Sequence, residues 1–208
     1  MRPLMSVLLL VICARQAAAQ GTCFDPLHDP YCPIVINFAN GNYRLTGADA
    51  PVTFDILATG EPVRMGWTSA GADQAFLCID VNQNGTIDSG AELFGNAVVM
   101  SDGRRATNGF EALSNFDDNR DGVINAEDEL WPHLLLWHDR NHDAVSQPDE
   151  LTAITASGVS AIGLEYHWTG RRDASGNTFR YAAKVWFGDA GKPTTPSPVY
   201  DIFFVAVE

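Results

Sequence analysis

Positive charge is scarce in this sequence. The 208 residues hold 13 Lys and Arg against 26 Asp and Glu, a formal net charge of −13, and so acidic a chain repels nucleic-acid phosphates instead of gathering them. Long apolar runs are scarce too. Beyond the first twenty residues no stretch is long and apolar enough to form a membrane-spanning helix. Cysteine is limited to Cys13, Cys23, Cys32 and Cys78. Complete catalytic motifs are also missing. His138 and His142 have the spacing of a zinc-binding helix but lack the glutamate after the first histidine. "GVSAIG" lacks the second glycine of a nucleophile elbow, and Ser160 reads as part of a turn into a strand. Acids that could form a glycosidase pair are sparse outside the segments discussed below. Arg171 and Arg172 read as a solvated pair in a hairpin turn.

With 46% hydrophobic residues, the chain can build one compact domain with its own core. Residues 1–19 read as a secretory signal peptide: Arg2, an apolar run from Leu4 to Ala14, then Ala17, Ala18 and Ala19. Export to an extracytoplasmic, secreted or periplasmic location follows, with no membrane span left after cleavage. Cys13 departs with the leader. Cys23 and Cys32 bracket a short proline-containing loop, within segment 20–33, that a disulfide could close. Cys78, in "AFLCID", reads as a buried thiol acting as a small hydrophobe.

The negative charge is concentrated. Residues 80–150 contain 15 acids and four bases, a formal −11. Such crowding opposes folding by self-repulsion unless cations join it. The spacing of the oxygen-bearing residues points to cations. In "DVNQNGTIDSGAE", Asp80, Asn82, Asn84 and Asp88 occupy positions 1, 3, 5 and 9 of a calcium loop, with Gly85 at 6 and the carbonyl of Thr86 at 7. Its closing carboxylate comes one residue late, as Glu92. In "DDNRDGVINAED", Asp117, Asn119, Asp121, the Val123 carbonyl and Asp128 fill positions 1, 3, 5, 7 and 12. In "DRNHDAVSQPDE" the set is Asp139, Asn141, Asp143, the Val145 carbonyl and Glu150. Here Ala144 stands where glycine is preferred, and Ser146 replaces the apolar residue of position 8. Up to three Ca²⁺ ions would lower the segment's formal charge from −11 to −5.

These stretches, with "NGFEAL" between them and "GVSAIGLEYHWTGRRDASGNTFRYAAKV" and "YDIFFV" after them, resemble secreted bacterial proteins described as EF-hand domain-containing, over about residues 52 to 205. The resemblance implies calcium ligands and an extracytoplasmic location. It does not imply a substrate.

The expected fold is a single α+β domain with β-strands at both ends, around a central segment of three EF-hand-like loops with short helices. Its parts are an N-terminal β region at 34–79, the calcium-binding region at 80–158 and a C-terminal β region at 159–208. Val52, Phe54 and Ile56 alternate with polar residues, as do Val63, Met65 and Trp67, across the turn "ATGEP". "IGLEYHW" and "TFRYAAKVWF" read as a hairpin with Phe179, Tyr181, Ala183, Val185 and Phe187 on one face. "VYDIFFVAV" reads as a strand buried on both sides. "TNGFEALSNF" reads as a helix entering the second loop and "AEDELW" as one leaving it, limited by Pro132. The expected function is a calcium-binding module with an unidentified protein or cell-surface partner; the alternative is a calcium-dependent extracellular hydrolase.

Overall fold

The computed structural model describes residues 32–39, 41–188 and 195–207. The leader at 1–19 and Cys23, with the bridge expected from it, lie outside the described residues. The fold is built almost entirely of strands. A nine-stranded antiparallel sheet runs in the order β5-β8-β10-β11-β1-β4-β6-β7, with β9 also paired to β10. Its strands are β1 (Ile34–Asn37), β4 (Gln74–Cys78), β5 (Val123–Asn125), β6 (Leu135–Trp137), β7 (Leu151–Ala153), β8 (Val159–Gly163), β9 (His167–Arg172), β10 (Thr178–Phe187) and β11 (Ser197–Phe203). A separate hairpin pairs β2 (Val52–Phe54) with β3 (Val63–Met65).

The α+β expectation is therefore corrected. The one α-helix among the described residues is α1, Gly109–Ser114, capped by the Asn108 side chain, which accepts the Glu111 N–H at 2.9 Å. The expected helix over "AEDELW" is absent. Residues 126–130 form turns, and Trp131–His133 is a single 3-10 turn with Pro132 inside it. Pro132 has no N–H to offer a longer helix. Upstream, the Asp128 carboxylate is engaged with the backbone of its own loop.

Successive residues of the central strands alternate between two cores, as the pleat requires. Ile34, Ile36, Ala75, Leu77 and Leu136 enter one, together with Phe110 and Leu113 of α1. Val35, Phe76, Cys78 and Trp137 enter the other, with Phe54 and Met65 of the β2–β3 hairpin and Trp67. Every residue of β4 is buried because it lies between β1 and β6 with a core on each face. The second core is aromatic: Trp67 packs on Phe76 at 4.3 Å and on Trp137 at 5.6 Å between ring centroids. Burying a ring of this size contributes on the order of 3 kcal/mol.

The expected C-terminal hairpin forms, with its turn narrowed to residues 173–177 because "TGRR" is strand. Its single apolar face does not form. Against β11, a register shift between Phe179 and Tyr181 leaves Arg180 as an extra residue in β10. Phe179 consequently enters the second core while Ala183 and Val185 enter the first. Arg171 lies in β9, not in the turn, and stacks over the Phe179 ring at 3.9 Å.

Candidate functional site

The three acidic segments fold into loops of one conformation. The residue at position 4 has positive φ in each: Gln83 at 58°, Arg120 at 61° and His142 at 65°. Position 6 does as well: Gly85 at 82°, Gly122 at 83° and Ala144 at 57°. Glycine adopts this region freely and alanine does not, which makes loop three the strained copy.

Side-chain oxygens hold each loop in shape through the same set of backbone hydrogen bonds. In loop one, Asp80 accepts the N–H groups of Asn84 at 3.1 Å and Gly85 at 2.9 Å. In loop two, Asp117 accepts those of Asp121 at 3.2 Å and Gly122 at 3.0 Å. In loop three, Asp139 accepts those of Asp143 at 3.2 Å and Ala144 at 2.9 Å. The position-3 amides repeat the pattern: Asn82, Asn119 and Asn141 each accept the N–H two residues on, at 3.0, 3.0 and 3.1 Å. So do the position-5 groups, where Asn84, Asp121 and Asp143 accept from Thr86, Val123 and Val145.

The closing carboxylate returns to the start of its loop in all three. Asp128 accepts from Asp118 at 3.0 Å and Asn125 at 2.9 Å. Glu150 accepts from Arg140 at 2.7 Å and Gln147 at 3.4 Å. Glu92 accepts from Val81 at 3.2 Å and Asp88 at 2.9 Å, so it does the work of position 12 despite standing one residue late. A 3-10 turn, Gly90–Glu92, takes up the extra residue. Gly90 is required there: a Cβ would stand 1.7 Å from the Ile56 carbonyl oxygen.

Two indole N–H groups that sequence reading overlooked anchor loop three to the second core. Trp67 donates to Asp139 at 2.8 Å, and Trp137 donates to Glu150 at 3.3 Å. A buried indole N–H needs an acceptor, and Trp137 finds its own 13 residues on, in the carboxylate that closes loop three. His142 points out of the loop toward the carbonyls of Thr68 and Ala50, at 2.6 and 3.0 Å. Burial, with the Asp88 and Asp80 charges adding to it, pushes Glu92 up to about 7, although backbone N–H donors partly oppose the shift. Burial also raises Asp139.

A second overlooked group is Asp201, fully buried in β11. Its Oδ2 accepts the Gly109 N–H at 3.0 Å, and its carboxyl also faces the Cys32 thiol. Burial holds it up to about 7. The buried thiol of Cys32 neighbours it and is itself raised by burial and by that carboxyl. Cys78 is buried as expected, its thiol 3.4 Å from the Leu135 carbonyl.

None of the loops is an EF-hand. Strand β4 leads into loop one and β6 into loop three, and only loop two has a helix before it. Among the described residues no group of three or more His, Cys, Asp or Glu side chains is gathered as a ready-made metal cluster. The acids of each loop are spread along its backbone N–H groups instead.

A family model for the SPM domain matches residues 34–203, nearly all of the described fold. The chain belongs to the SPM domain family. That membership replaces the resemblance to EF-hand domain-containing proteins, which no family match supports. The SPM domain here is also similar to the iron-regulated protein FrpA of Neisseria meningitidis serogroup C, at 35% identity over 150 residues. The similar stretch is 71% of this chain and 13% of that protein. No helix of the described SPM domain is long and apolar enough to cross a membrane.

Proposed function

We propose that this SPM domain is an extracytoplasmic calcium-binding module in which Ca²⁺ orders three loops and stabilises the β-fold around them. The observation that carries the reading is the shared hydrogen-bond frame. Three segments of different sequence, one with an additional residue, place a carboxylate at each end and amide or carboxylate oxygens between on the same backbone donors.

The donor set fits a hard cation: every side chain in it offers oxygen. One buried polar atom in loop three also lacks a partner among the described residues, the Oε1 of Gln147 at position 9. Amide groups now bridge the carboxylates. Asn84 donates to Asp88 at 2.8 Å, Asn119 to Asp121 at 3.1 Å and Asn141 to Asp143 at 2.7 Å. An amide carries an acceptor as well as donors, so each can turn its oxygen toward a cation that takes over the bridging. Bound Ca²⁺ supplies positive charge among carboxylates that otherwise repel one another.

Residues 1–19 support export, and the calcium concentration outside the cytoplasm suits sites with Kd of about 10⁻⁴ to 10⁻³ M. A protein or cell-surface partner fits an ion that sets shape instead of carrying a signal. Calorimetric titration of residues 20–208 tests the reading. The expected result is up to three equivalents of Ca²⁺ bound in that range. Absence of both heat and thermal stabilisation at 10 mM Ca²⁺, roughly ten times the weakest Kd expected, refutes it.

A further inference from the structure

Loops one and three touch each other, and the contact is polar and buried. The Ile87 N–H donates to Ser146 Oγ at 2.6 Å, and the Ser146 hydroxyl donates back to the Ile87 carbonyl at 3.3 Å. Both residues occupy position 8 of their loops, and they are only 1% and 3% exposed. A buried backbone N–H deprived of its acceptor is costly, so neither loop can leave this arrangement without orphaning a group on the other.

The packing behind the clasp is also common to the two loops. Ile87 and Leu93 of loop one share a core with Ala144 of loop three and with Trp67 and Trp137. These two indoles hold Asp139 and Glu150. Loop one follows β4 and loop three follows β6, and those strands are antiparallel neighbours, Phe76 opposite Trp137 and Cys78 opposite Leu135. The loops thus leave at opposite ends and run toward each other over one face. Loop two is placed differently. Its position 8 is Ile124, which pairs with Ile162 across β5 and β8 and enters the other core.

We propose that loops one and three are a single cooperative unit, coupled through the Ser146–Ile87 clasp, while loop two orders independently of both. Coupling means that an ion ordering one of the pair raises the affinity of the other, reciprocally. This ion-driven part rests on the calcium reading above; coupling of the loops' local stability does not.

Two experiments on the full described domain test it. The first is amide hydrogen exchange without calcium, in the parent and in Ser146→Ala. Expected is about a tenfold loss of protection at loop-one amides, Gly85 and Ile87 included, with loop-two amides Gly122 and Val123 unchanged. Ser146→Thr, which keeps the hydroxyl, restores protection. The same readout on Asp80→Asn, a perturbation confined to loop one, should lower protection at Ala144 and Val145 of loop three but not in loop two. This second arm decides the matter if Ser146→Ala does not fold. Unchanged protection across the clasp, or an equal fall in loop two, overturns the proposal. The second experiment is calcium titration. Two sites should fill with positive cooperativity and one without, and Ser146→Ala should abolish the cooperativity while keeping the stoichiometry. If no calcium binds, the calcium reading fails, and hydrogen exchange still decides whether the loops are coupled.

Discussion

Replacing Asp117 by alanine isolates one loop's share of the proposed response to calcium. Without the ion, the loss is two hydrogen bonds, to the N–H groups of Asp121 and Gly122, on an exposed loop that water can resolvate. That loss is about 1 kcal/mol. With the ion it is larger. At 10 mM Ca²⁺ and a Kd of about 10⁻⁴ to 10⁻³ M, mass action stabilises the folded state by roughly 1.4 to 2.7 kcal/mol per filled loop. For a domain of this size each kcal/mol moves Tm by about 2 to 4 °C. One loop is therefore worth about 3 to 11 °C of calcium-dependent Tm. Differential scanning calorimetry in 10 mM Ca²⁺ and in excess chelator gives that increment for each protein. Asp117→Ala should lose one loop's portion of it and titrate with one equivalent fewer, because loop two stands apart from the other two. A variant with the parent's full increment and stoichiometry would refute the assignment of loop two.

Asp201 makes stability pH-dependent. Its folded-state value is raised to about 7 by burial, so its contribution is fully present below the ordinary carboxylate range and is lost as pH rises from about 4 to 7. Asp201→Asn keeps an acceptor for the Gly109 N–H and removes the buried charge, so it should flatten that part of the Tm-against-pH curve and raise Tm at pH 8. An unchanged curve shows that Asp201 does not titrate in this range. Gly90→Ala should lower Tm with and without calcium by about 1 to 3 kcal/mol equivalents, since its methyl meets the Ile56 carbonyl; an unchanged melt refutes the close approach.

The loops were legible because calcium-loop spacing is local. Asp80, Asn82 and Asn84, and their counterparts in loops two and three, engage backbone only a few residues away. The late Glu92 was legible as a candidate, whereas the 3-10 turn that brings it home depends on Ile56, distant in sequence. Strand positions in β2, β3 and β11 followed from alternation and apolar runs. The expected exit helix failed because "AEDELW" has helical composition but Pro132 and the engaged Asp128 leave no room for a helix. The single face of β10 failed because a bulge at Arg180 cannot be seen in a period-two pattern. Ser146 looked like a defect at position 8. Its role depends on Ile87, 59 residues away, and no local rule reveals such a partner. The family was likewise beyond reach of the motif, since the loop pattern specifies a local backbone shape and not the scaffold that carries it.

Loops one and three are continuations of sheet strands, and this limits what an ion could set in motion. Where a cation site sits between two rods, filling it can swing one rod and uncover a surface. Here the neighbouring strands are tied into a ladder along their length, and a displacement large enough to matter would break the ladder first. On the proposed calcium reading, a domain made this way acts as a fastener: the ion tightens the loops while the paired strands stay in place.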